Sequence, residues 1–169
     1  MVPPLRLLET RMEFISRFNR VVGEMVSYLY LLAVAVTGYE VVLRYVFNAP
    51  TTWGFELTIM LCAIAYLLSG GYVTERRSHI AITSLSDRFP LRVKWWLELF
   101  GLLIGIFAIG TLAWAGFRPA LFAIEIVERT GSAWDSPMPT IVKVLIVVGS
   151  GMIVAQLLVH TVRHLRGQP

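Results

Sequence analysis

Glu40, Arg44 and Glu56 stand close together between two long apolar runs, with Tyr45, Asn48, Pro50 and Trp53 among them. A charge beside an apolar run is costly to desolvate, so it needs a partner or a task. Glu40 and Arg44 are four apart, which on a helix puts both on one face and lets them pair. Glu56 opens the second run, where the free amides and the dipole of a helix start favour a carboxylate. The cluster can therefore fix the hairpin between two helices, or it can present a docking surface to another protein. A site for a transported ion fits less well. Both carboxylates lie at the edges of the runs, whereas carrier sites form near the midplane of a membrane.

The remaining polar residues offer little chemistry. Glu24, near the start of the first run, can snorkel or pair with Arg20; a proton-coupled carrier would need such a glutamate deeper in its helix. His79, His160 and His164 could suggest haem ligation, which takes two facing histidines inside a bundle. All three are expected at helix ends. Cys62 is alone, so it forms no intrachain disulfide and says nothing of redox compartment. No Cys-His cluster, phosphate-cradling glycine loop or nucleophile–base pair stands out, and the reading is of a chain that is not an enzyme and holds no metal or cofactor. Ser69, Thr111 and Gln156 are too few and too scattered to line a solute path.

These residues must be positioned by membrane helices. With 56% of the residues apolar, four runs are long enough to cross a hydrocarbon core, which takes about 20 helical residues. They are Val21–Leu43, Phe55–Val73, Trp95–Phe117 and Thr140–Val162. None alternates as a barrel strand would. The fold class expected is an all-α membrane protein with four transmembrane helices in one domain, residues 1–169. The first run is too long for the core of a signal peptide and is read as a retained helix.

Of the 15 lysines and arginines, 11 fall in the two tails and the central loop. By the positive-inside rule both termini are cytoplasmic. The same bias accounts for the basic balance without nucleic acid, for which no recognition motif is present. Residues 1–20 carry Leu7, Leu8, Met12, Ile15 and Phe18 near helical spacing with arginines between, which predicts a helix along the membrane interface or an extension of the first span. A helix there, and not disorder, is the reading preferred. Ala120–Arg129 is expected to be helical, outside the third span. Gly101 with Gly105 and Gly151 with Ala155 are small pairs four apart, the spacing that lets membrane helices approach closely.

The run Arg44-Tyr-Val-Phe-Asn48, followed by Pro50, Trp53 and Glu56, resembles the signature of the Q-type (DctQ-like) small membrane subunit of TRAP transporters, the tripartite ATP-independent periplasmic systems. Gly71-Tyr-Val, then Arg76-Arg-Ser-His79-Ile80 and Phe89-Pro90, is similar to the family's loop after the second helix. The segment Ala133–Pro139 is similar too, though less specific. The resemblance runs from about Val21 to Val162. It departs at Thr83, where the family often has an aspartate, so no role for that carboxylate carries over.

The resemblance implies a small permease subunit of a sodium-driven importer of organic acids in the bacterial inner membrane. Its partners would be a large membrane subunit, which holds sodium and substrate, and a periplasmic binding protein. Glu40, Arg44 and Glu56 would hold the first hairpin and present it to the binding protein, with Asn48, Pro50 and Trp53 fixing the turn. Arg76, Arg77 and His79 would organise the cytoplasmic loop or contact lipid headgroups. A self-sufficient proton-coupled carrier acting as a homodimer, or a haem- or quinone-binding membrane anchor, is the alternative.

Overall fold

The computed structural model describes residues 3–76 and 90–166. Four helices account for most of them: α1 Pro3–Tyr45, α2 Gly54–Glu75, α3 Leu91–Ile126 and α4 Met138–Leu165. Each is long and apolar enough to cross a membrane. Each expected span falls inside one of them, and among the described residues there is no strand.

The helices do not close into a symmetric bundle. α2 packs against both α1 and α4, α3 packs against α4, and α1 touches α4 only lightly. The lateral order is thus α1, α2, α4, α3. One end of the molecule gathers the start of α1 and the end of α4, and we call it the terminal end. The other gathers the α1–α2 and α3–α4 linkers, and we call it the linker end. The α2–α4 seam is held by close approach: a Cβ on Gly149 would run into the backbone oxygen of Leu67. Only a glycine fits there, and van der Waals packing is what associates helices within lipid.

Two helices are longer than the sequence suggests. α1 has 43 residues, or about 65 Å at 1.5 Å per residue, roughly twice the hydrocarbon thickness. It runs without a break through Gly23, so residues 3–20 prolong the first span. Of the two arrangements the sequence allows, the structure has the extension: no proline or turn separates the basic segment from the apolar one. α3 has 36 residues and carries Pro119 inside it. Pro119 has no amide hydrogen to donate to the Ala115 carbonyl, yet the helix continues to Ile126. Contacts with α4 hold this extension. Ala120 and Ala123 are buried, and the Thr140 hydroxyl donates to the carbonyls of Ala123 at 3.0 Å and Glu128 at 2.9 Å. α3 then stops at Val127, whose φ of 48° is left-handed.

Candidate functional site

At the linker end, α1 closes over the linker that follows it. Asn48 takes a φ of 53°, a left-handed conformation that asparagine tolerates better than most residues. Pro50 then prevents a return to helix at Ala49. The Ala49 amide donates back to the Leu43 carbonyl at 3.0 Å. Trp53 stacks on Tyr39 of α1, ring centroids 6.2 Å apart, and this aromatic contact sets how the linker leaves the helix. Tyr45, Asn48 and Pro50 are exposed.

Glu40 is the hub of this corner and is itself buried. Its Oε1 accepts from Arg44 Nη2 at 2.7 Å and Nε at 3.3 Å. Its Oε2 accepts from the Thr51 amide at 3.2 Å and from the Thr51 hydroxyl. That same hydroxyl accepts the Gly54 amide at 3.0 Å, one of the free donors at the start of α2. Thr51 thereby caps α2 while Glu40 holds Thr51. Gly54 leaves the room for this, since a Cβ there would lie 2.8 Å from Glu40 Oε2.

Glu56 does the same for the other linker. In the first turn of α2, its Oε2 accepts from Ser136 Oγ at 2.7 Å and Thr130 Oγ1 at 3.1 Å. Both donors flank the turn between α3 and α4. That turn is closed by its own bonds: Asp135 accepts the Gly131 amide at 3.1 Å, and Arg129 donates to the Asp135 carbonyl at 2.8 Å. Lys143 of α4 pairs with Glu128. Glu40 of α1 thus holds the first linker and Glu56 of α2 the second, and Glu40, Arg44 and Glu56 all lie at the linker end.

Such an arrangement braces the two linkers. Glu40 has donors on both oxygens, so a cation arriving there would have to displace Arg44 or Thr51. Among the described residues, no three histidines, cysteines, aspartates or glutamates come together in a way that could hold a metal ion.

A second polar cluster, at the terminal end, went unread in the sequence. Asn19 Nδ2 donates to Gln156 Oε1 at 3.0 Å, and Gln156 Nε2 donates to Ser16 Oγ at 3.2 Å. His160 Nε2 lies 2.9 Å from the Thr74 carbonyl, which requires that nitrogen to carry the proton. Asn19, Thr74 and Gln156 are the most deeply buried large side chains of the described residues. Gly71 admits Asn19, because a Cβ there would lie 2.7 Å from its Oδ1. The network joins α1, α2 and α4 where apolar packing alone would leave their order less defined. Its sequence signal existed: Ser16 and Asn19 are three apart, Gln156 and His160 four apart, each pair on one helical face.

The other expected positions fall as follows. Arg20 pairs with Glu75 of α2 at 2.7 Å, not with Glu24, which is exposed. Arg76 lies over the Tyr72 ring at 4.7 Å. Arg77 and His79 lie outside the described residues, as does the segment with Ile80, Ile82 and Leu85. His164 stacks on Trp95 at 5.1 Å, and its Nδ1 is 3.4 Å from Glu98. A Cβ on Gly105 would lie 3.3 Å from Leu157, whereas Gly101 and Gly151 have nothing within 4 Å, and Ala155 is half-buried. The tight seam runs through Gly149, two residues from the small pair picked out by spacing.

A profile of the family described as tripartite ATP-independent periplasmic transporters, DctQ component, matches residues 33–167. A sialic acid TRAP transporter small permease protein, SiaQ, of Vibrio cholerae serotype O1 is 28% identical over 103 residues, which is 59% of this chain. The chain spans 60% of the length of that curated relative. The matched family region contains the Glu40–Glu56 corner, all of α2 and α3, and the whole of α4.

Proposed function

The chain belongs to the DctQ-component family of TRAP transporters, the small permease subunits of those systems, and we propose that it serves there as a fixed scaffold. In this reading it stands beside a large membrane subunit that binds sodium and substrate, and its linker end helps seat a periplasmic binding protein. The carboxylate-latched corner is the observation that carries the proposal. Glu40 of α1 and Glu56 of α2 each hold one linker against a helix, which supports reading the linker end as a stiff plate and not as a gate. Rigid surfaces suit docking because little ordering entropy is lost on contact.

The transported solute in this reading is an organic acid, carried inward with sodium across the inner membrane. The relative from Vibrio cholerae is named for sialic acid, an acidic sugar, which agrees with that class. Both termini would be cytoplasmic, since 11 of the 15 basic residues lie in the tails and the central loop. The linker end would then face the periplasm, the side from which a binding protein arrives.

Affinity purification of the tagged chain from its own membranes tests the assembly. A many-span partner in fixed ratio is expected, with uptake of labelled organic acid when the pair and a binding protein are reconstituted under a sodium gradient. A homodimer competent for uptake by itself would overturn the scaffold reading. A haem absorption band in the purified protein would turn it toward a redox anchor.

A further inference from the structure

α3 turns Gly116, Ala120 and Ala123 toward α4: a Cβ on Gly116 would lie 3.4 Å from Val147, and both alanines are buried. On the reverse side of α3, Thr111, Trp114, Arg118, Phe122 and Glu125 follow at steps of three and four, the spacing of a single helical stripe. All five are exposed. Arg118 and Glu125 have no ion pair or side-chain hydrogen bond with any of the described residues.

Arg118 stands below the membrane boundary. Ser136, just before α4, bonds to Glu56 in the first turn of α2, so the two helices start level. α2 has 22 residues, about 33 Å of helix, little more than the roughly 30 Å of hydrocarbon it has to cross. Its start therefore marks the boundary. Gly116 lies beside Ile146, which is eight residues into α4, or about 12 Å, and Arg118 is two residues nearer the linker end. Helical rise thus leaves Arg118 about 9 Å inside, with Leu121, Phe122 and Ile124 exposed between it and the linker end. It is also aimed the wrong way to snorkel. The Cα–Cβ bonds of a helix tilt toward its N-terminus, which in α3 is the terminal end, so the side chain sets out toward the midplane. An arginine at such depth pairs with another group or faces a water-filled cavity, and this stripe is the convex side of one helix.

We propose that this stripe of α3 is where a transmembrane helix of a partner protein lies, with a carboxylate of that helix paired to Arg118. Glu125, on the same stripe and about 10 Å nearer the linker end by helical rise, calls for a hydrogen-bond donor or a cation on the same helix, and the two charges together set its register. A convex stripe cannot enclose a small acid, whereas a helix covers it. A second copy of this chain does not fit, because a two-fold axis along the membrane normal brings equal depths together and sets Arg118 against Arg118. The identity of the partner, the large membrane subunit, rests on the scaffold reading above.

The test compares Arg118→Leu with wild type, each tagged and purified from its own membranes with its co-purifying subunits. Leucine suits lipid better than arginine does, so on a lipid-facing stripe it would leave assembly unchanged. Here recovery of the many-span partner should fall about tenfold or more, as when one member of a desolvated charge pair is removed. The melting temperature of the isolated chain should not fall, because Arg118 has no ion pair or side-chain hydrogen bond with the described residues. Arg118→Lys, which keeps the charge, should recover more partner than Arg118→Leu. In a Cys62→Ala background, benzophenone maleimide on Trp114→Cys should photo-cross-link to the same partner, on a helix that carries an aspartate or glutamate. Arg118→Glu together with lysine in place of that carboxylate should restore the complex. If wild type brings down a many-span partner and Arg118→Leu brings down as much, this proposal is overturned and the scaffold reading stands. If wild type brings down none, both fall. Cross-linking of Trp114→Cys to a second copy of this chain, or to lipid alone, overturns the proposal as well.

Discussion

Thr51 donates both its amide, at 3.2 Å, and its hydroxyl to one oxygen of Glu40, eleven residues earlier in the chain. Through the same hydroxyl Thr51 accepts the first amide of α2. One threonine therefore couples the end of α1, the linker and the start of α2. Glu40→Ala should free all three together, with faster amide hydrogen exchange across residues 46–54 and a lower melting temperature. Thr51→Val should reproduce the effect on α2 while leaving the Glu40–Arg44 pair in place. Unchanged exchange in Glu40→Ala would show that the linker is held by other contacts.

The α2–α4 seam makes a sharp contrast between neighbouring glycines. Gly149→Ala drives a Cβ against the Leu67 carbonyl, and backbone cannot move aside as a side chain could. Overpacking of this kind costs about 1–3 kcal/mol. Gly151→Ala and Gly101→Ala meet open space within the chain and should leave the melting temperature of the isolated subunit unchanged. If they nonetheless weaken recovery of a large partner in affinity purification, those glycines pack against that partner. Equal destabilisation by Gly149→Ala and Gly151→Ala would contradict the seam described.

Asn19 and Gln156 form a buried bond 137 positions apart in sequence. Gln156→Leu strands Asn19, a loss of about 1–3 kcal/mol for a buried group left unpaired. The pairwise coupling in an Asn19→Leu, Gln156→Leu cycle should be smaller, about 0.6–1.7 kcal/mol, as for other polar pairs between membrane helices. The cycle is read from unfolding midpoints in detergent, and a coupling indistinguishable from zero would remove the network as an organiser of α1, α2 and α4.

Glu56 reaches the α3–α4 turn through Thr130 and Ser136. Glu56→Gln removes the charge while keeping the size, so hydrogen exchange should rise in residues 128–136 and stay unchanged in 46–53. A rise confined to 46–53 would mean that the two latches are one.

The spans, the Glu40–Arg44 pair and the place of Glu56 at a helix start were legible because each rests on local spacing. A continuous apolar run, an i,i+4 charge pair and a first-turn carboxylate carry their geometry with them. What the spacing hid was tertiary. Ala120–Arg129 is expected outside the third span, yet α3 runs on through Pro119 because Ala123 and Thr140 bind the extension to α4. The G-x-x-x-G pattern at Gly101 and Gly105 is a property of one helix, while a tight seam requires a matching surface, as found where Gly149 meets Leu67. Arg20 chose Glu75 on the neighbouring helix over Glu24 one turn away, which no periodicity could reveal. The Ser16–Asn19–Gln156–His160 network was visible as two polar faces but not as partners, since their meeting depends on α1 and α4 both crossing α2.

The scaffold reading is tested most directly by distances across the linker end during transport. Spin labels at Thr52 and Ser132, both exposed, in a Cys62→Ala background would report the α1–α2 and α3–α4 linkers relative to each other by electron–electron resonance. In the reconstituted transporter, one narrow distance distribution should persist with and without sodium gradient, organic acid and binding protein. A second distance that appears only under transport conditions would make this subunit a moving part and contradict the account.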